Sequence, residues 1–391
     1  MSQELAYALI TPYSLLKSRT GGILSRLIAR TGLDFVAARM FAPSSKLLEE
    51  YAAALPSPDD PQEPAIQQLL QDYVRRRMAP DPKTGRRKRA MMLVFQGENT
   101  VAKLRDVVGF FARNRYAGQT IRDTYGDLVC DDQGEIRYFE PAVLIPVNAA
   151  QAEAHLKLWA RYSDTDGGLL ENVIEYAPGE VPERTLVLLK PDNFRFPAGR
   201  PGNVIDFFSR TGLYIVAIKV HRMSVAEAVE FYGPVREVLR TKLKGMVGGR
   251  ARAVLEKELG FALTPELESG LGDLLGPLYG ENQFENIVRF MSGRAPSECP
   301  SEQWNEPGTE KCIALVYEGV NAIAKIRDVL GPTDPAKAPP GSIRREFGSN
   351  VMVNAAHASD SPQNAAREIG IVKPEENRFR RVIEAVYGSV N

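Results

Sequence analysis

The chain has 391 residues, 44% of them apolar and 25% charged, which is room for two or three domains that each bury a core. Lysine plus arginine and aspartate plus glutamate balance at 49 each, so bulk charge argues for neither a nucleic-acid nor a membrane-surface partner. Three scattered cysteines (Cys130, Cys299, Cys312) exclude a metal-spaced pair and a disulfide framework, and the expected setting is soluble and cytoplasmic: no apolar run reaches membrane-spanning length, and Met1–Arg19 lacks the layout of a signal peptide.

Leu5–Ile10 is an apolar run ending in Thr11-Pro12-Tyr13-Ser14, the pattern of a strand entering a turn. Ile23, Leu24, Leu27 and Ile28 then recur at helical spacing and stop at Gly32. Leu33–Met40 reads as a second strand and Ser45–Ala53 as a helix. The same series returns later: strand Thr185–Asn193, a helix through Val204, Ile205, Phe207 and Phe208, its stop at Gly212, and strand Leu213–Val220. Ser224 and Glu227 form a capping box for the next helix, which carries Phe231-Tyr232 where the first series has Glu50-Tyr51. Val94–Gly97 through Lys103–Asp106 matches Val316–Gly319 through Lys325–Asp328, and Thr120-Ile121-Arg122 matches Ser342-Ile343-Arg344.

A repeat this long is a duplicated domain, since solenoid units are far shorter. Each copy reads β-α-β, helix, β-α-β, the ferredoxin-like split arrangement. The expected fold class is therefore α+β, two such βαββαβ domains in tandem over residues 1–175 and 182–391. Tyr176–Pro182, a Pro/Gly stretch, would link them. Lys242–Asn282 has no counterpart in the first copy. With Gly245, Gly248-Gly249, Gly260, Gly270 and Gly272 read as joints between helical runs, this insertion at about 242–282 is expected to add a helical flap. Arg294–Thr309 reads as a surface loop.

The chemistry gathers in Gly341–Ser361, GSIRREFGSNVMVNAAHASDS. Arg344 offers a planar fork of donors to a phosphate, Asn354 can both donate to and accept from a hydroxyl, and His357 is a nucleophile that titrates near neutral pH. Ser361-Pro362 reads as an N-cap followed by proline at the first helical position, and Glu368 lies in the second turn of that helix. N-x-x-H-x-S-D-S, preceded by G-[ST]-I-R and followed by A-x-x-E-I-G, resembles the active-site segment of nucleoside diphosphate kinases, whose fold is the one the repeat suggests.

The resemblance implies transfer of the γ-phosphate of a nucleoside triphosphate to a nucleoside diphosphate, in ping-pong fashion, through a phosphohistidine at His357. It gives Glu368 the orienting of the imidazole, Lys190 and Tyr232 contacts to the transferred phosphoryl group, and Arg327, Thr333 and Arg344 the phosphates. Asn354 would hold the ribose hydroxyl and Val351 would pack on the base. The cofactor implied is Mg²⁺, carried by the nucleotide phosphates with no metal ligand from the protein. Three departures stand out: Asn193 and Ala358 replace family glycines, and the insertion interrupts the hairpin that covers the nucleotide. Arg236 and Phe284 are the candidates for that hairpin's arginine and phenylalanine.

The first copy keeps Tyr51, Arg105 and Arg122 but has Thr11 at the lysine position, Phe111 at the threonine position and no histidine in Gly126–Pro146. It reads as a degenerate copy, pairing with the second as an intramolecular pseudo-dimer that could join a further homo-oligomer. His155 and His221 read as structural. The basic run Arg75–Arg77 with Lys83 and Arg86–Arg89 is read as a solvated loop in preference to a nucleic-acid site. The alternative to an enzyme is a catalytically silent nucleotide-binding regulatory or scaffold protein. The complete set of Lys190, Arg344, His357 and Glu368 favours the enzyme; only the insertion favours the alternative.

Overall fold

The computed structural model describes residues 4–111 and 118–390 and divides into two compact units. The first comprises Met1–Val220, Ile313–Ile369 and Lys373–Asn391, the second His221–Cys312 and Gly370–Val372. These units do not follow the repeat: both copies contribute their sheets to the first unit, and the second is drawn from the middle of the second copy.

The architecture is α+β. In the first copy the strands are β1 (Glu4–Ile10), β2 (Asp34–Phe41), β3 (Ala90–Gly97), a separate hairpin of β4 (Asp127–Cys130) and β5 (Ile136–Glu140), and β6 (Val143–Leu144). In the second copy they are β7 (Glu183–Leu189), β8 (Tyr214–His221), β9 (Cys312–Gly319) and β10 (Ala356–Ala358). The two four-stranded sheets run β2-β3-β1-β6 and β10-β7-β9-β8, the same spatial order in each copy. Leu5–Ile10 is fully buried because β1 is central, paired antiparallel with β3 from Glu4↔Gly97 to Ile10↔Met91. β7 pairs with β9 in the matching register, Glu183↔Gly319 to Leu189↔Ile313. An inner strand covered on both faces is apolar along its covered length, which is why Leu5–Ile10 and Leu186–Leu189 are unbroken apolar runs.

Helix Thr20–Thr31 follows β1 and helix Arg200–Phe208 follows β7. The first ends at Gly32 with φ +63°, the left-handed conformation a helix stop commonly requires; Gly212 repeats it at φ +68° after one 3₁₀ turn. The two helices cross at Gly21 and Gly202, where a Cβ on Gly202 would stand 2.3 Å from the Gly21 carbonyl oxygen. Only glycine permits that approach. The chain between the copies is itself structured well before Tyr176: Gly167 bridges to Phe41, Gly168 donates to Met40 O (2.9 Å) and Leu170 to Val216 O (3.0 Å). It thereby ties β2 to β8.

The C-terminal helix Arg378–Tyr387 belongs in sequence to the second copy, yet Phe379 and Ile383 are buried in the first copy's core with Phe41 and Trp159. Arg39, itself buried, donates to the carbonyls of Ser163, Gly167, Glu375 and Glu376 and fixes the start of that excursion.

In the second unit, helix Val225–Lys242 starts on the expected box: Ser224 Oγ accepts from Glu227 N (3.0 Å) and Glu227 accepts from Ser224 N (2.9 Å). Helices Lys244–Leu259 and Pro265–Ser292 follow, so the insertion is helical. Of the glycines read as joints, Gly260 alone turns the chain, with φ +76°. Gly245, Gly248, Gly249, Gly270 and Gly272 lie inside helices, and Gly248 and Gly272 let two helices touch backbone to backbone. Arg294–Thr309 contains two short 3₁₀ turns and otherwise no regular structure.

Candidate active site

His357 is carried by β10, opposite Leu188 of β7. The turn before it passes through Ala355 at φ +70°, and Ser361 caps the helix after it by accepting from Asn364 N (3.2 Å). That helix, Pro362–Val372, brings Glu368 back to the imidazole: Nε2 of His357 and Oε2 of Glu368 are 2.8 Å apart. Ser359 Oγ donates to the same oxygen at 2.7 Å. An ionised carboxylate only accepts, so the proton of this bond sits on Nε2 and the ring's lone pair lies on Nδ1. Residues two apart on a strand share a face, which is why His357 and Ser359 meet one carboxylate. Glu368 is 4% exposed, so the carboxylate end of this contact is sheltered while the imidazole stays partly open. The role of Ser359 was not assigned from sequence; its two-residue spacing from His357 is the signal that carries it.

Beside this pair lies a second cluster. Lys190, at the end of β7, donates from Nζ to Asn354 Oδ1 (2.9 Å) and to the Met352 carbonyl. Burial holds its ammonium down to about 8, the positive Arg344 adds to the lowering, and Asp192 opposes it. Asn354 donates in turn to the carbonyls of Thr333 and Val351, both at 3.0 Å. The Thr333 and Val351 side chains stand in solvent. Arg344 is buried and donates to Gly331 O (2.9 Å) and Ala356 O (3.2 Å), tying two loops to the strand that bears His357. Arg327 is exposed; Asp360, held below the usual carboxylate range chiefly by the Asn364 amide, also feels its charge.

Asn193 is a departure with a structural account. Its amide donates to Lys190 O (2.9 Å) and Ala355 O (2.6 Å), and its oxygen accepts from Arg200 Nε (3.1 Å). Arg200 also pairs with buried Asp192 at 2.7 Å. A glycine could make none of these side-chain bonds, so Asn193 staples the lysine loop to the turn before the histidine. Tyr232 belongs to the second unit, half-buried in helix Val225–Lys242 beside Phe231. There Phe284 is buried under the guanidinium of Arg236, and Arg236 pairs with Glu281. Phe284 is a core residue and cannot stack on a base, which corrects that candidate.

The first copy shows different side chains at the corresponding positions. Leu144 faces Leu9 where His357 faces Leu188, so an apolar side chain stands at the histidine's register position. Thr11, at the lysine position, donates to the buried Glu140 (2.9 Å) and Ala142 O (3.1 Å). Arg122 donates to Gly109 O (2.9 Å) and Val143 O (3.5 Å), the counterparts of the two carbonyls held by Arg344. Its guanidinium stacks on Phe111 at 4.2 Å. Arg122 thus braces its strand by the same two carbonyl contacts that Arg344 makes in the second copy. His155 falls as far past its helix N-cap, Asn148, as Glu368 does past Ser361. It is buried between Tyr7 Oη (2.7 Å) and Ala54 O (3.0 Å), and burial pushes it down to about 4, so it stays neutral.

An imidazole with one nitrogen bonded to a buried carboxylate, with Lys190, Asn354 and Arg344 tied to the same strand and its flanking loops, is a class of arrangement that can carry phosphoryl-transfer chemistry. Known proteins give the class a family. The nucleoside diphosphate kinase model matches residues 305–377, the stretch from before β9 to beyond Glu368. A nucleoside diphosphate kinase of Staphylothermus marinus is 30% identical over 190 residues, 49% of this chain and 92% of that one; one of Polynucleobacter necessarius is 30% identical over 200 residues, 51% and 98%. Among solved structures, an NDP kinase from Pyrobaculum aerophilum is 30% identical over 49% of this chain and 95% of its own, with a TM-score of 0.34. The chain belongs to the nucleoside diphosphate kinase family. Among the described residues, no helix is long and apolar enough to cross a membrane.

Proposed function

We propose that the chain transfers the γ-phosphate of a nucleoside triphosphate to a nucleoside diphosphate through a phosphohistidine at His357. The observation that carries this is the 2.8 Å bond from His357 Nε2 to buried Glu368, which directs the lone pair of Nδ1 outward from the carboxylate. In the first half-reaction Nδ1 bonds to the γ-phosphorus as the bond to the β-phosphate oxygen breaks, and the diphosphate leaves. In the second, a terminal oxygen of another nucleoside diphosphate takes the phosphoryl group and the P–N bond breaks. Glu368 stabilises the charge that the ring acquires, and Lys190 and Arg344 balance the phosphate charge. Arg327 and Thr333 extend the cradle, Asn354 holds the ribose hydroxyl, Val351 covers the base, and Tyr232 completes the set by its family position.

Among the described residues no three His, Cys, Asp or Glu side chains are placed to hold a metal. Mg²⁺ is proposed to arrive with the nucleotide, carried by its phosphates, where it would neutralise oxygen charge. The recurrent strand order supports reading both copies as ferredoxin-like domains, the first structural, joined as a pseudo-dimer by the Gly21–Gly202 crossing. The experiment is incubation with ATP and Mg²⁺ followed by a search for acid-labile phosphate on the protein. We expect one phosphate per chain, lost in His357→Ala together with at least about 10³-fold of the transfer rate. Nucleotide binding with no phosphoprotein would instead identify a silent scaffold.

A further inference from the structure

The basic run between Arg75 and Arg89 is not the plain solvated loop expected of it. Its later half lines a cavity of about 670 Å³ in the first unit, in the size range of small-molecule sites. Arg77, Lys88 and Arg89 lie on its wall with Tyr13, Tyr138 and Tyr214, and none of the residues assigned above to phosphoryl transfer takes part.

Arg89 is the informative one. It is 8% exposed, its guanidinium stacks on Tyr214 at 5.1 Å, and its single described hydrogen bond runs from Nη1 to Ile215 O at 2.6 Å. No described carboxylate pairs with it. Glu318, which it feels at a distance, is already held by Arg184 (2.8 Å) and Tyr176 (3.1 Å). A buried guanidinium with one protein acceptor is an uncompensated charge beside open space, and burial lowers it to about 10. Among the described residues Lys88 bonds only to the Arg77 carbonyl (2.8 Å), and after burial the positive Arg77 is what most lowers its ammonium.

The other charges on the wall are spent. Arg86 pairs with Glu175, Arg87 with Asp166, and Asp81 caps its own turn by accepting from Lys83 N and Thr84 N. Glu140 accepts from Tyr73, Thr11 and Ala142 N, and burial raises its carboxyl toward the neutral form. Three cations remain, facing a wall whose Tyr138 is 37% exposed.

We infer that this cavity binds an aromatic phosphate ester of nucleotide size, its phosphate on Arg77, Lys88 and Arg89 and its ring against the tyrosines. Arginine forks suit phosphate oxygens and tyrosine faces suit a planar ring. The inference stands apart from the kinase reading, so its test removes the other site. The full chain carrying Lys190→Met and Asn354→Ala is titrated calorimetrically with AMP, adenosine and inorganic phosphate. We expect AMP to bind one to one, adenosine to give no heat, and phosphate to bind at least tenfold more weakly than AMP. Arg77→Ala and Tyr138→Ala, both at exposed positions that spare the fold, should each weaken AMP at least tenfold. Absence of AMP binding, indifference to both substitutions, or phosphate binding as tightly as AMP would overturn the assignment.

Discussion

Lys190, proposed to bind phosphate, is a residue whose burial acts against the stability of its own fold. Its ammonium is buried and held at about 8 against an ordinary 10.5, so between those values the folded chain binds fewer protons than the unfolded one. Stability from this group therefore rises with pH across that window, and the burial cost is in full force below about pH 8. Lys190→Met should then raise stability at pH 7, by up to about 3 kcal/mol before the lost bonds to Asn354 and Met352 are counted. The same change should weaken nucleoside diphosphate binding about 10- to 100-fold. Thermal unfolding and ADP titration read the two effects; a lower melting temperature would refute the argument. In the parent chain kcat/KM should fall above about pH 8 as Lys190 loses its charge. Glu368→Gln is a different kind of change. It keeps an acceptor for His357 Nε2–H and removes the charge, so kcat should drop about 100-fold with KM little altered.

At the scale of elements, what could be read from the sequence was what is local. β1 and β7 were legible because the covered part of an inner strand is apolar, and the Ser224–Glu227 box because its bonds span three residues. The insertion was legible as helical but not in its packing. Glycine pays for conformational freedom in the unfolded chain and so reads as a joint, yet Gly248 and Gly272 are contact points inside two helices. Pro234 and Pro277, which also sit within helices, add a second misleading signal. A Cβ at Gly248 would stand 2.5 Å from the Glu268 carbonyl oxygen, a backbone atom that cannot swing aside. Gly248→Val should therefore cost the second unit about 1–3 kcal/mol. Hydrogen exchange should show amides of 244–259 and 265–292 losing protection while β1 and β3 keep theirs. Protection unchanged in both helices would mean that the close approach does not bear on stability.

At the scale of the molecule, the repeat suggested a cut at residues 176–182, with a first copy contributing structure, a largely apolar interface, and a second copy that alone is poorly soluble or associates with itself. The contacts are more mixed than that. The Gly21–Gly202 crossing is accompanied by a Ser25–Asn203 bond at 3.0 Å, and the two buried arginines Arg39 and Arg89 donate to carbonyls of the other copy. The apolar part has no local signature, because it joins residues far apart along the chain. Phe379 meets Phe41 edge-on at 5.5 Å, Phe41 meets Trp159 at 4.8 Å, and Tyr387 bonds to Leu5. Cutting at the linker leaves Trp159 and Phe41 uncovered in one piece and the apolar face of Arg378–Tyr387 uncovered in the other. Met1–Glu175 and Pro182–Asn391 should therefore each associate or precipitate when made alone and copurify when made together. Phe379→Ala in the full chain should cost about 3–5 kcal/mol, the range for losing a packed aromatic. Phosphoryl transfer should appear only in preparations containing Pro182–Asn391. Two soluble monomers that ignore each other, or a Phe379→Ala chain as stable as its parent, would show that the helix is not what joins the copies.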